Sequence, residues 1–152
     1  MAMLLFYAGE NRFSIDCSSI LRVVPYVSLK KMPHEVPHMA GILILAGKAV
    51  PVVDFCQMIE NRQTSLCLDS RIILLSDPRP DSKKIAGILG EKVDEIVNFP
   101  PDAFSKNEFY LHHFPFLDKG TSDPNGIIQS VNIEGFFQFL SEELFHEVNH
   151  GG

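Results

Sequence analysis

The sequence predicts a mainly β protein with about nine or ten short strands and one longer helix near its C-terminal end. Short apolar runs, several of them alternating with polar residues, recur along the chain and are separated by Gly, Pro, Asn and Asp. Residues 41–54 have the pattern of a tight β-hairpin. Only the segment after Asn132 places apolar residues at steps of three and four over several turns. Many short strands with few helices are typical of small barrels.

The composition describes a globular chain with little affinity for polyanions. Its 152 residues are 45% hydrophobic, which is enough for a buried core, and the net charge is −6. An acidic surface disfavours nucleic acid and anionic lipid, so neither is expected as a partner. The three cysteines lack CxxC spacing and fit a reducing cytoplasm. The apolar run 1–7 has no basic flank and is too short to span a membrane, so we expect a cytoplasmic protein.

The residues before the hairpin predict three strands and one short helix. The strands are expected from alternation or apolar content over residues 3–7, 12–16 and 26–32. Asp16 or Ser18 is suited to cap a short helix between the second and third of these strands. Pro25 is expected to end that helix, because proline disfavours helical backbone in the residue before it.

The hairpin over residues 41–54 is expected to lead directly into a helix. Gly47 can adopt the positive φ of the first residue in a two-residue type II′ turn. Pro51 has no N–H for a sheet ladder, so the second strand must be an edge strand, be bulged or leave the sheet there. Asp54 can cap the following helix, with Gln57 reaching back to complete a capping box.

The polar run 60–65 is predicted to separate two halves of a single domain that covers residues 1–152. Strand patterns resume after it in four runs, residues 71–76, 85–90, 93–99 and 127–133. We therefore predict a first lobe over about residues 1–65 and a second over about residues 66–135.

The residues after the last strand predict one amphipathic helix. Asn132 can accept hydrogen bonds from the first free N–H groups of that helix. Apolar side chains then follow at steps of one, three or four, in the order Phe136, Phe137, Leu140, Leu144 and Val148. The spacing predicts a helix over about residues 133–148 with one face on the core.

Residues 102–126 are rich in aromatic side chains but show no clear period. The rings stand among polar and turn residues and belong to Phe104, Phe109, Tyr110, Phe114 and Phe116. Two interpretations are open. The rings fill one end of a barrel, or they form an exposed patch that a partner covers.

Histidines and cysteines are the residues that could carry chemistry. His34 and His38 are four apart and His112 and His113 are adjacent, but no nearby pair of carboxylates completes a metal site. Structural or surface histidines and a metal site therefore both stay open. Among Cys17, Cys56 and Cys67, the first opens a short helix, where amide dipoles could lower the pKa of a thiol.

No nucleophile, base and orienting group are brought together by the sequence. The pattern therefore predicts a protein that is not an enzyme, binds no cofactor and acts by recognising other proteins. A small metal-dependent or thiol enzyme that uses these histidines and cysteines is the alternative.

The hairpin and several other runs resemble the CheW-like domain family. The hairpin reads Gly-Ile-Leu-Ile-Leu-Ala-Gly and then Val-Pro-Val-Val-Asp-Phe within residues 41–55. Further runs follow the order of the family and cover residues 13–16, 20–24, 71–75, 86–96 and 131–134. Residues 99–126 match the family poorly.

The resemblance implies two small SH3-like five-stranded β-barrels packed side by side, with short helices. It also implies an adaptor in the cytoplasm, recruited to receptor arrays at the inner membrane. Such an adaptor couples the cytoplasmic tips of chemoreceptors, the methyl-accepting proteins, to the regulatory domain of a histidine kinase. The positions of the family's receptor groove and its supports fall here on apolar residues or glycine, namely Ile20, Gly41, Ile72, Gly87, Val93 and Ile96.

Two positions depart from the pattern of the family. Its hairpin commonly reads Asn-Leu-Arg-Gly where this chain has Ile-Leu-Ala-Gly, so Ala46 replaces an arginine. Arg22 stands where the family commonly carries glutamate. Because that glutamate and arginine are placed to pair in the family, their joint loss implies an altered contact surface. The expected role is therefore in an auxiliary chemosensory pathway with its own receptor and kinase.

Overall fold

A computed structural model describes residues 1–31, 38–64, 69–106 and 114–151 of the chain. The side chains of Asp94 and of residues 144–151 are not described. The described residues form ten strands and two α-helices. The strands are β1 (Ala2–Ala8), β2 (Asn11–Asp16), β3 (Ile20–Pro25), β4 (Met39–Leu45), β5 (Lys48–Asp54), β6 (Arg71–Ser76), β7 (Ile85–Asn98), β8 (Ser105–Lys106), β9 (Lys119–Asp123) and β10 (Gly126–Ser130). The helices are α1 (Phe55–Glu60) and α2 (Ile133–Gly151), and a 3₁₀ turn covers Cys17–Ser19. The prediction of a mainly β fold is confirmed.

Strand β7 joins two groups of strands. Its first part, Ile85–Gly90, pairs antiparallel with β6 on one side and parallel with β5 on the other. Strand β6 also pairs with β3, and β5 also pairs with β4. We call this group sheet one. The rest of β7 pairs with β1, and the order continues through β2, β10, β9 and β8. We call this second group sheet two.

The two strands predicted within residues 85–99 are one strand of 14 residues. Its break in the apolar pattern is a bulge, because Tyr7 pairs with Glu91 whereas Leu5 pairs with Glu95. Lys92 lies in this bulge with φ of 50°. A bulge bends a strand and increases its twist, which lets one strand serve both sheets.

Strands from both sides of the polar run 60–65 occur in each sheet. Sheet one combines β3, β4 and β5 with β6, and sheet two combines β1 and β2 with β8, β9 and β10. Strand pairing therefore does not follow the division at residues 60–65, because strands distant in sequence pair as readily as neighbours. Two lobes, each closed as a barrel, stay a prediction.

Sheet one has a hydrophobic core on each of its faces. Along β6, Ile73 and Leu75 enter the larger core, which also contains the rings of the first strands and of α2. Ile72 and Leu74 enter a smaller core on the opposite face. A strand that is buried on both faces needs a continuous apolar run instead of an alternating one, and residues 72–75 have that pattern.

The short helix predicted after Asp16 is wrong, except for its cap. The Asp16 carboxylate accepts a hydrogen bond from the Ser18 backbone N–H at 2.9 Å, but only the single 3₁₀ turn follows. The apolar residues that were expected to form the helix are β3, which pairs antiparallel with β6. β-Branched side chains favour extended backbone, and pairing with a buried strand decides between the two structures.

The strand predicted over residues 26–32 is also wrong for its described part, residues 26–31. These residues form one isolated bridge, in which Lys30 pairs with Ile42. The Lys30 and Ile42 backbones exchange hydrogen bonds of 2.9 and 2.7 Å. Alternation alone does not make a strand here, because among the described residues 26–31 only Lys30 pairs with β4.

The predicted hairpin is confirmed, with a different turn. Leu45 pairs with Lys48, so Ala46 and Gly47 form the loop, and their φ values of 50° and 80° are typical of a type I′ turn. The expected type II′ turn starting at Gly47 is therefore wrong. Both turn types fit the twist of a hairpin, but the pairing register places the loop one residue earlier than expected.

The predicted cap of α1 is confirmed, while the capping box is not. The Asp54 carboxylate accepts from the Gln57 backbone N–H at 3.1 Å and from the Thr64 hydroxyl at 2.6 Å. The Gln57 side chain donates instead to Asn61, because the Asp54 N–H is already used by the carbonyl of His38.

The C-terminal part contains two strands that the sequence pattern did not predict. Strands β8 and β9 lie in the segment 102–126, and β9 forms a hairpin with β10. Phe116 in this segment is fully buried against α2, which favours the core interpretation for that ring, while Phe109 and Tyr110 lie outside the described residues. The Asn132 side chain caps α2 by accepting from Gly135 at 3.0 Å, as predicted.

Candidate partner-binding surface

Strand β3 presents apolar side chains on the open edge of sheet one. It stands at the end of the pairing order of the described strands, with β6 on one side only. Leu21 is the extra residue of a bulge between Ile20 and Arg22, and its side chain is 54% exposed. Val23 is 37% exposed, whereas Ile20 packs against the larger core. An exposed edge with apolar side chains can pair with another chain.

Pairing places Arg22 and two of the predicted groove glycines in one row across sheet one. Arg22 pairs with Leu74, which pairs with Gly87. Gly87 pairs with Val52, which pairs with Gly41. Arg22 is exposed and forms no ion pair with any residue that the structure describes. Its positive charge is therefore available to a partner.

The glycines of this row are needed for close packing. A Cβ atom on Gly41 would lie 2.6 Å from the Lys30 carbonyl oxygen, and the residue has a φ of 147°. A Cβ on Gly87 would lie 3.1 Å from methyl carbons of both Ile72 and Val52. Both glycines therefore support the surface from behind and do not themselves offer a side chain to a partner.

The other predicted site residues are divided between the interior and the surface. Ile72 and Val93 are buried and act as supports. Ile96 is 65% exposed on the second part of β7. Ala46 is exposed at the tip of the hairpin, and strand pairing does not bring it beside Arg22. The assignment of all eight residues to partner binding stays a prediction.

The cysteines that the structure describes are poorly suited to act as nucleophiles. Burial and the neighbouring Glu91 raise the pKa of Cys56 to about 11, and its Sγ donates to Glu91 Oε1 at 3.2 Å. Burial, followed by the charge of Asp16, raises the pKa of Cys17. A thiol with a raised pKa is mostly protonated at neutral pH and reacts slowly. Cys67 lies outside the described residues.

The metal-site interpretation gains no support from the geometry. No group of three metal-binding side chains occurs among the residues that the structure describes. His38 has its ring against Phe114, whereas His34, His112 and His113 lie outside the described residues.

No helix in the described ranges is both long and apolar enough to cross a membrane.

Sequence reasoning missed the buried carboxylate of Glu91. Its Oε1 accepts from the Gly9 backbone N–H at 2.8 Å and from the guanidinium of Arg62 at 3.2 Å, in addition to Cys56. These bonds connect the β1–β2 turn, α1 and the loop after α1 to β7. The available signal was an acidic residue directly after the apolar run 85–90, because a charge at the end of a buried run requires partners.

A family model for the CheW-like domain matches residues 2–139, which is most of the chain. This chain belongs to the CheW-like domain family. The probable chemotaxis protein CheW of Rhizobium etli is 21% identical over 95 residues, covering 62% of this chain and 59% of the relative. The match therefore spans less than two thirds of that CheW protein.

The fold of this CheW-like domain has a counterpart among solved structures. The crystal structure of the scaffolding protein TtCheW from Thermoanaerobacter tengcongensis superimposes with a TM-score of 0.74. The match covers 86% of this chain and 82% of TtCheW, at 21% sequence identity. At that identity the likeness establishes the fold of the CheW-like domain.

Proposed function

We propose that this protein is a non-catalytic adaptor that couples chemoreceptors to a histidine kinase in a bacterial chemosensory pathway. The observation that carries the proposal is the match to the CheW-like domain family over residues 2–139. The apolar open edge of β3 supports it, because such an edge is typical of surfaces that recognise other proteins.

The proposed contact surface consists of exposed residues held in place by buried ones. The partner would contact three exposed residues of β3, namely Leu21, Arg22 and Val23. Ile96 on β7 would be a further apolar contact. Gly41, Ile72, Gly87 and Val93 would act behind them by fixing the spacing of the strands. The partners would be the cytoplasmic tip of a receptor and the regulatory domain of a kinase.

An auxiliary pathway is the finer part of the proposal. Arg22 is an exposed cation where the family commonly carries glutamate, and Ala46 is exposed at the hairpin tip without the arginine of the family. Charges at the rim of an interface mainly set partner choice and association rate. We therefore expect partners with a neutral or acidic residue opposite Arg22.

An enzymatic role is a weaker candidate for this chain. Its described thiols have raised pKa values, and the described residues assemble no three-ligand group for a metal. The exposed residues of the candidate surface, Leu21, Val23 and Ile96, are apolar side chains on strands. Such side chains favour recognition of another protein over catalysis.

The test compares two matched substitutions in binding to partners from the same organism. Val23→Asp changes a residue that is 37% exposed on β3, and Ile127→Asp changes one that is 39% exposed on β10. Calorimetric titration would use the purified regulatory domain of the kinase and a receptor cytoplasmic fragment. We expect Val23→Asp to weaken at least one complex about tenfold, or about 1.4 kcal/mol, and Ile127→Asp to have no effect.

Circular dichroism and thermal unfolding would show whether both variants are folded. The proposal would be rejected if the unmodified protein bound neither partner. If both partners bound and Val23→Asp had no effect on either, the adaptor role would stand but β3 would not be the contact surface.

A further inference from the structure

A cleft of about 400 Å³ opens between sheet one and α2, and none of the residues assigned above to partner binding lines it. Its walls are the first half of β5, the start of β7 and one face of α2. The interior is apolar and is formed by Val50, Pro51, Ile85, Ala86, Phe137 and Leu140. Clefts of this size and character commonly bind ligands or peptide side chains.

The cleft exists because β5 and β7 diverge. The two strands pair in parallel only from Val52 to Asp54, opposite Gly87 to Leu89. Pro51, the residue before this pairing, has no N–H with which to extend the ladder towards β7. The first residues of β5 therefore lie beside α2 with their outer edge unpaired by any described strand.

The backbone of Ala49 offers a donor and an acceptor on that edge. The Ile42 N–H donates to the Lys30 carbonyl, and the Ile42 carbonyl accepts from the Lys30 N–H. Ile42 therefore forms a non-hydrogen-bonded pair with Pro51 across the hairpin. Because such pairs alternate in antiparallel strands, the pair of Ile44 with Ala49 is also of this type. The N–H and C=O of Ala49 then point away from β4, on the side of β5 that borders the cleft.

The charged groups around the cleft are all positive among its described lining residues. Lys48, Lys83 and Lys84 border the opening, and no carboxylate belongs to the described lining. The Lys84 ammonium donates to the Ser141 hydroxyl at 3.2 Å, which fixes this cation beside α2. A cluster of three lysines is notable in a protein of net charge −6. It would attract an acidic ligand and repel a basic one.

We propose that this cleft binds a short extended acidic segment of a partner protein. The segment would add to the edge of β5 through the backbone of Ala49 and place one or two apolar side chains between β5 and α2. Its carboxylates would lie near Lys48, Lys83 and Lys84. This is strand addition, in which the main chain provides affinity and side-chain pockets provide specificity. None of the eight residues predicted to bind a partner lines the cleft, so the proposal does not depend on the proposed function.

The experiment uses the full chain and three seven-residue peptides as probes. Valine and leucine alternate in them with glutamate, with glutamine or with lysine. We expect the glutamate peptide, at up to millimolar concentration, to shift the amide NMR signals of Ala49, Val50 and Ile85. The glutamine peptide should bind more weakly and the lysine peptide should not bind.

Two variants separate the charge from the strand edge. Lys83→Glu with Lys84→Glu should weaken binding of the glutamate peptide about tenfold, whereas the matched change of Lys30 and Lys31 should not. Ala49→Pro removes the edge N–H and should also weaken binding, since an outward-facing strand position tolerates proline. Thermal unfolding would confirm that the variants are folded.

Three results would overturn the proposal. They are the absence of shifts at the cleft with the glutamate peptide, equal binding of all three peptides, and full binding by the Ala49→Pro variant. Full binding by the Ala49→Pro variant would mean that the cleft binds apolar acidic ligands through its apolar walls and its lysines, without strand addition.

Discussion

Glu91 Oε1 accepts a hydrogen bond from the backbone N–H of Gly9 at 2.8 Å, across 82 residues of sequence. The bond attaches the β1–β2 turn to the bulged middle of β7, where sheets one and two meet. The same oxygen accepts from Cys56 and Arg62, so one buried carboxylate holds three separate segments. Loss of the Glu91 carboxylate should therefore lower the stability of the whole fold.

Glu91→Gln should lower the free energy of unfolding by about 1–3 kcal/mol. The amide keeps the size of the side chain but loses the charge that Arg62 and the other donors share. Urea denaturation followed by circular dichroism would measure the change. Glu142→Gln on the exposed face of α2 is the control and should stay within about 0.5 kcal/mol. Equal effects of the two changes would contradict the assigned role of Glu91.

Stability should fall on acidification below about pH 4, in part through Asp77. Hydrogen bonds from Arg79 lower the pKa of this buried carboxyl from 3.8 to about 2 in the folded protein. A group whose folded pKa is depressed contributes stability above its unfolded pKa and loses that contribution as the pH falls through the folded value. The loss should therefore extend between about pH 4 and pH 2.

Asp77→Asn should flatten this part of the pH profile. Thermal midpoints of the variant and of the unmodified protein, measured between neutral pH and about pH 2, would converge at the acid end. Asp102→Asn, on an exposed turn, is the control and should leave the profile unchanged. Parallel profiles for Asp77→Asn and the unmodified protein would show that Asp77 does not contribute.

Gly90→Ala should destabilise the protein by about 1–3 kcal/mol through overpacking. A Cβ atom at this position would lie 2.7 Å from a ring carbon of Phe6, and that ring is fully buried in the larger core. Phe6→Leu should be destabilising alone but should reduce the additional cost of Gly90→Ala. Chemical denaturation of both single variants and of the double variant would measure this coupling, and strict additivity would exclude the clash.

Arg22→Glu together with Ala46→Arg should weaken binding to the receptor or kinase proposed above as a partner by about 1–3 kcal/mol, because a partner group opposite Arg22 would be left unpaired or repelled. The two effects should add, with a coupling energy below about 0.5 kcal/mol. Additivity is expected because strand pairing keeps the two positions apart. Val52 is the β5 residue in the row that contains Arg22, and Lys48 lies four residues before it. Ala46 lies further along, in the hairpin turn.

Calorimetric titration of the single and double variants would measure these effects. Lys106→Glu, at an exposed position of sheet two, is the control for a general change of charge. Strong coupling would instead show that closure of sheet one brings Arg22 and Ala46 together. Unchanged affinities in folded variants would mean that neither position contacts the partner.

The predicted hairpin illustrates how far the sequence could lead. Gly47 and Pro51 limit the local backbone, so the position of the two strands was readable from the chain. The turn type was not readable, because it depends on whether Leu45 pairs with Lys48. The register belongs to two strands at once, and a type I′ turn with Ala46 at φ of 50° follows from it.

The candidate surface was only partly predictable. Apolar residues and glycines are required both by a groove and by a core, so their types could not separate Ile72, which is buried, from Ile96, which is exposed. The cleft beside α2 was not predicted at all. It depends on the divergence of β5 from β7 and on lysines from two distant segments, Lys48 and Lys83–Lys84.

The sequence alone determined the mainly β character, the hairpin and the caps of α1 and α2, because these depend on dihedral preferences and on hydrogen bonds within a few residues. The tertiary structure decided that residues 20–25 are a strand, that residues 85–98 are one strand shared by two sheets, and that Glu91 is buried. Each of these outcomes depends on pairing between residues far apart in sequence. The energy of such pairing exceeds local preference, and one sequence alone does not specify which segments meet.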